Sequence, residues 1–161
     1  MKKIFLSVKI LFVLGVLIFS SVSMGDVSRE GGYFIYTKFK IVNLRVGPGK
    51  DYPINWVIKY KGEPLEVLHK VENWLMCRDF NGDEGWAHVS NVSKRDPHVI
   101  IKTPEKTYVT AYARADESSR RLFRIENGRR SRLKKCDVKW CKISINNQDA
   151  WVLKDFLWGI L

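Results

Sequence analysis

Residues 62–86 read GEPLEVLHKVENWLMCRDFNGDEGW, and residues 128–151 read GRRSRLKKCDVKWCKISINNQDAW. Each stretch opens on a glycine, runs through an apolar segment to a tryptophan, passes a turn centred on asparagine and closes on a second tryptophan. Gly62 to Gly128 and Trp74 to Trp140 are the same step of 66 residues, and Trp86 to Trp151 is one shorter. A repeat of that length is a domain and not a solenoid unit, so the 161 residues read as two small, similar domains, each closing its own core.

Working outward from the first stretch, Phe39, Ile41 and Leu44, then Trp56 to Ile58, Leu65 to Leu68, Trp74 to Cys77 and Trp86 to Val89 form short apolar or alternating runs. Gly47-Pro48-Gly49, Lys61-Gly62 and Asn81-Gly82 punctuate them. Asn81-Gly82 between alternating runs predicts a two-residue hairpin turn with both central residues at positive φ. Five or so strands in about sixty residues make a small β-barrel. The second half repeats the inventory with Tyr108 to Tyr112, Leu122 to Ile125, Arg132 to Lys134, Trp140 to Ile145 and Ala150 to Leu153. The expected class is all-β, two tandem barrels over residues 33–96 and 97–161, with Ser93 to Pro104 as the connection.

Ahead of the barrels, Lys2 and Lys3 precede the apolar run Ile10 to Phe19, the layout of a secretory signal peptide over residues 1–25. The run is short for a membrane-spanning helix. Small residues Ser21, Ser23 and Gly25 place cleavage near Ser23 to Asp26, with an uncleaved anchor as the alternative. Either way the rest of the chain is expected outside the cytoplasm, in the periplasm or otherwise exported.

Charge is unevenly shared. Residues 26–97 hold 11 Lys and Arg against 10 Asp and Glu, a net of +1, whereas residues 98–161 hold 14 against 7, a net of +7. The basic character centres on Arg120, Arg121, Arg124, Arg129, Arg130 and Arg132, a cluster expected to attract anionic polymers or lipid head groups at long range. An export signal and the lack of an aromatic RNA-binding signature argue against nucleic acid as partner.

The order Asn43-Leu44-Arg45-Val46-Gly47-Pro48-Gly49, Lys61-Gly62, Asn73-Trp74 and Gly82-Asp83-Glu84-Gly85-Trp86 resembles the bacterial SH3-like (SH3b) domain. The second half resembles a diverged copy that keeps Gly128, Trp140 and Trp151 and replaces the Gly-Pro-Gly loop with Ala113-Arg114-Ala115-Asp116. As a whole the layout is similar to small exported two-SH3-domain proteins of alphaproteobacteria. Those tend to carry a cysteine pair near the second tryptophan and a Leu-Trp-Gly, here Cys136 with Cys141 and Leu157-Trp158-Gly159. The resemblance implies fold and compartment; the function expected of the chain is a binding module for peptidoglycan or other envelope material. The competing class is an adaptor that docks on another envelope protein.

Within that frame Trp74 and Trp86 are expected to fill the first core. Arg45, Tyr52 and Trp56 border the Gly-Pro-Gly loop and are the expected ligand-binding residues, their aromatic faces suited to stack on sugar or peptide.

Cys136 and Cys141 flank the tight connection Asp137-Val138-Lys139, where a chain reversal brings them within disulfide reach. Cys77 is left as a small buried thiol. A metal site from Cys77, His69 and His88 lacks the paired spacing of zinc ligands, so no metal or other cofactor is expected. No cysteine or serine has a base and an orienting third group placed by sequence, so no catalytic residue is assigned and the chain is read as a binding module.

Overall fold

The computed structural model describes residues 32–104 and 107–160. The segment read as a signal peptide lies outside the described residues. Two seven-stranded antiparallel sheets follow one another along the chain, each curled into a barrel of SH3-like topology. The first holds β1 (Tyr33–Thr37), β2 (Val42–Arg45), β3 (Ile54–Ile58), β4 (Pro64–Val71), β5 (Trp74–Arg78), β6 (Glu84–His88) and β7 (Val92–Ser93), in the order β3-β2-β6-β5-β4-β1-β7. The second repeats that order with β8 (His98–Ile101), β9 (Tyr108–Tyr112), β10 (Arg121–Glu126), β11 (Arg130–Cys136), β12 (Trp140–Ile145), β13 (Gln148–Leu153) and β14 (Leu157–Trp158). A single 3₁₀ turn precedes the last strand of each, Val89–Asn91 and Lys154–Phe156.

The repeat extends to single backbone hydrogen bonds. Gly62 N donates to Thr37 O (2.8 Å) as Gly128 N donates to Ile101 O (2.8 Å), and Lys38 N donates to Asn91 O as Lys102 N donates to Phe156 O, both at 2.9 Å. Gly62 and Gly128 stand at φ 80° and 76°, where a side chain is strained, so both copies keep glycine there.

Inward residues of each sheet form a separate core. Ile35, Val42, Leu44, Leu65, Val67, Leu75, Cys77 and Ala87 fill the first, and Val99, Ile101, Val109, Ala111, Ile125, Cys141, Ile143 and Val152 the second. Three sequence expectations are corrected. Phe39 and Ile41 lie outside any strand and are exposed, because β2 begins only at Val42. The stretch Ser93 to Pro104 is not all connection, since it contains β8, whose Val99, Ile100 and Ile101 are fully buried. Asn81 does not adopt positive φ; Asp79 Oδ1 accepts from the amides of Asn81 and Asp83 (both 2.9 Å), so the loop Asp79–Asp83 is held by a side chain instead of a two-residue turn. The predicted turn geometry occurs at Asn146 and Asn147, with φ 49° and 62°, between β12 and β13.

The barrels dock on each other. Glu63, at 4 % exposure, receives Arg130 in a two-pronged pair, with Nη2 to Oε1 at 2.8 Å. The same guanidinium lies 4.0 Å over the Tyr60 ring. Trp158 packs edge-on to Phe34 (5.1 Å) and Phe80 (5.7 Å), and Tyr36 Oη donates to Gly159 O at 3.0 Å. A Cβ on Gly62 would sit 2.5 Å from the His98 ring, so this glycine serves the junction as well as the turn.

Candidate functional site

Gly-Pro-Gly forms a loop closed over Tyr52. A Cβ on Gly47 would lie 2.4 Å from the Tyr52 ring, and Arg45 Nη1 donates to Tyr52 O at 2.6 Å. Arg45 and Tyr52 are thereby brought together, with Arg45 holding the loop. Trp56 stands apart from them. It is the cross-strand partner of Leu44, which turns to the core, while Arg45 lies on the other side of the ribbon. Trp56 is nevertheless 44 % exposed, because β3 ends the sheet and, among the described residues, pairs only with β2. Tyr52, Ile54, Trp56, Val57 and Tyr60 make this edge, among the described residues, the longest run of exposed large apolar groups. Its counterpart β10 carries Arg121, Arg124 and Glu126, the charged dressing that discourages strand addition.

Trp74 and Trp86, expected from sequence to fill the first core, are not core residues. Leu75, Cys77 and Ala87 point inward, which by strand alternation turns both indoles to the outer face, where they are part-buried. Trp74 packs against His88 (5.2 Å between ring centroids) and Trp86 against His69 (6.1 Å). Register places one outward residue from each of five strands in a row: His69, Met76, Trp86, Arg45, Ile54. The same positions of the second barrel are Lys135, Lys142, Trp151, Tyr112 and Arg121. Sequence reasoning found neither row. The cue available was Trp74-Leu75-Met76-Cys77-Arg78, in which the tryptophan shares the parity of an arginine.

The six arginines do not form one patch. Arg130 is taken up by Glu63, and Arg132 pairs with Asp96 (Nη2 to Oδ1 2.7 Å). Arg129 donates to Asn146 Oδ1 at 3.0 Å and, with Arg124, lines a groove of about 430 Å³ beside Phe123 and Tyr108. Arg120 and Arg121 are exposed, and among the described residues neither side chain has an ionic partner.

Cys136 and Cys141 are cross-strand partners joined by a disulfide, their Cα atoms 4.0 Å apart. Asp137 Oδ1 accepts from the amides of Lys139 and Trp140 and fixes the reversal between them. A loop this short gives roughly 2 kcal/mol in the chain-entropy model. Cys77 is fully buried, and burial pushes its thiol up to about 12. It faces the core while His69 and His88 lie on the outer face, so the three do not converge. Among the described residues no three His, Cys, Asp or Glu side chains are placed to hold a metal ion.

The family model of the bacterial SH3 domain matches residues 38–94 and again 105–159. The chain belongs to the bacterial SH3 domain family. Among curated proteins none matches it. Solved structures similar to this bacterial SH3 protein include NlpC2 of Trichomonas vaginalis, 8 % identical, covering 79 % of this chain and 48 % of that one at a TM-score of 0.35. An NlpC/P60 family protein from Bacillus cereus is 13 % identical, covering 78 % and 55 % at 0.33. NlpC1 of Trichomonas vaginalis is 9 % identical, covering 81 % and 46 % at 0.36. The chain spans about half the length of these structures.

Proposed function

We propose that this tandem SH3 protein is an exported binding module, not an enzyme, that holds peptidoglycan through its peptide stems. The observation that carries the reading is the edge β3. Its unpaired backbone can hydrogen-bond an extended peptide, with Trp56 on one side of the strand, Ile54 and Val57 on the other to contact alternate side chains, and Tyr52 in the loop just ahead of it. Arg45 acts here as the anchor of the Tyr52 loop. The second barrel, with most of the positive charge, adds attraction to anionic wall material. The same edge also supports the second reading, an adaptor that accepts a strand of another envelope protein.

Co-sedimentation of residues 26–161 with isolated sacculi tests this. Binding that persists at moderate salt and falls in Trp56→Ala and Tyr52→Ala is the expected result. Absence of binding at low and moderate salt would refute wall binding and leave the adaptor.

A further inference from the structure

We propose that the outer face of the second barrel is a binding site for an acidic polysaccharide, one whose sugar rings themselves carry carboxylates. The site is the row Lys135, Lys142, Trp151, Tyr112, Arg121, one residue from each of five adjacent strands. At the spacing of paired strands the row is about 19 Å long and one side chain wide. A narrow chain of rings fits that shape better than a folded protein surface does.

Two aromatics stand at its middle and cations at its ends. Trp140 abuts Tyr112 edge-on (5.5 Å between centroids) and fixes that ring, while the Lys135 ammonium lies 5.2 Å from the Trp151 centroid. A sugar stacked on Trp151 therefore brings a carboxylate borne by its own ring within reach of Lys135, which swings off the indole to meet it. Lys142 is tied to Asp149 at 2.9 Å and stays in place as part of the floor. Lys135 and Arg121 have no carboxylate partner among the described residues, so both are open to a ligand anion. Of the nearby carboxylates, Glu126 sits on the same strand as Arg121 but at its far end, beside Arg124; in the loop between Tyr112 and Arg121, Asp116 is bonded to Ser118 and Glu117 pairs with Lys139 at 3.6 Å.

Comparison with the first barrel sharpens the assignment. Both copies keep tryptophan at the centre of the row, but the first flanks it with Met76, His69 and an arginine already bonded to Tyr52 O. Its outer charges also balance, Arg78 and Arg45 against Glu84 and Glu66, with Arg78 at 2.8 Å from Glu84 and 3.5 Å from Glu66. The duplicated scaffold thus offers a neutral face and a cationic one. A lipid surface is the less suitable occupant: Trp151 and Tyr112, the aromatics of the row, are both part-buried.

The inference rests on the envelope reading for where such a polymer is met. It is tested by titrating the protein with oligogalacturonate, with a neutral chitin oligomer of equal length and with vesicles of anionic phospholipid. Indole fluorescence and amide shifts are followed. Expected are binding of oligogalacturonate alone, shifts centred on Tyr112 and Trp151, and affinity lowered about tenfold by each of Arg121→Glu and Lys135→Glu. Both side chains are exposed, so these changes leave the fold intact. Lys50→Glu, an exposed site on the first barrel, is expected to change little. An equal loss in Lys50→Glu, equal binding of the neutral oligomer, response only to vesicles, or no binding at all would overturn the proposal. Sacculi binding without oligogalacturonate binding defeats this inference alone; the reverse defeats only the stem-peptide reading.

Discussion

Substituting Arg130 by methionine leaves the Glu63 carboxylate buried at the junction of the barrels with its strongest partner gone. Breaking a buried pair by removing one member costs about 3–5 kcal/mol. Glu63 is 5 % exposed at its side chain, but Arg130 retains 39 %, so water already screens one end and the expected loss is about 2 kcal/mol. For a folded unit of this size that lowers the melting temperature by roughly 6–10 °C. Urea unfolding followed by tryptophan fluorescence gives the free energy, and calorimetry the transition. Adding Glu63→Gln to Arg130→Met removes the stranded charge and should restore about half of the loss. The exposed pair Arg132–Asp96 supplies the control, and Arg132→Met should have little effect. If Arg130→Met stays within about 0.5 kcal/mol of the parent, or the double variant is no more stable than the single one, the junction does not depend on this pair.

Three other outcomes are expected. Because burial raises the Cys77 thiol to about 12, it should resist thiol reagents at pH 8 until the protein unfolds. With the folded value above the unfolded one, the contribution of Cys77 to stability is full below about pH 8.5 and declines as the pH rises toward 12, a decline that Cys77→Ser should remove. Gly47→Ala drives a methyl into the Tyr52 ring, so it should lower stability by about 1–3 kcal/mol and shift the Tyr52 resonances, whereas unchanged resonances would mean that the loop gives way freely.

The barrels were legible because their punctuation is local. Gly62, Gly128 and the asparagine turns announce strand ends within a few residues, and the step of 66 residues repeats them. Strands β1 and β8 escaped because Tyr33–Thr37 and His98–Ile101 do not alternate, although Gly31-Gly32 and Pro97 directly precede them; their burial comes from pairing with β4 and β11, far along the chain. Size alone points the tryptophans to the core, whereas the parity of Trp74 with Arg78 points outward. The rows on the outer faces depend on register across five strands, with bulges in β4 and β11 that shift parity, and no single segment encodes them. Nor does sequence pair Glu63 with Arg130: both look like ordinary surface charges until the barrels meet.

The seat of Trp158 has a consequence for biosynthesis. The first barrel has all its strands once Ser93 has been made, yet Phe34, Phe80 and Tyr36 wait for Trp158 and Gly159. At the usual pace of about 5–20 residues per second that is a delay of roughly 3–13 s. Throughout it a finished domain presents an uncovered aromatic socket, which makes the nascent chain most prone to stray association after half of it has already folded.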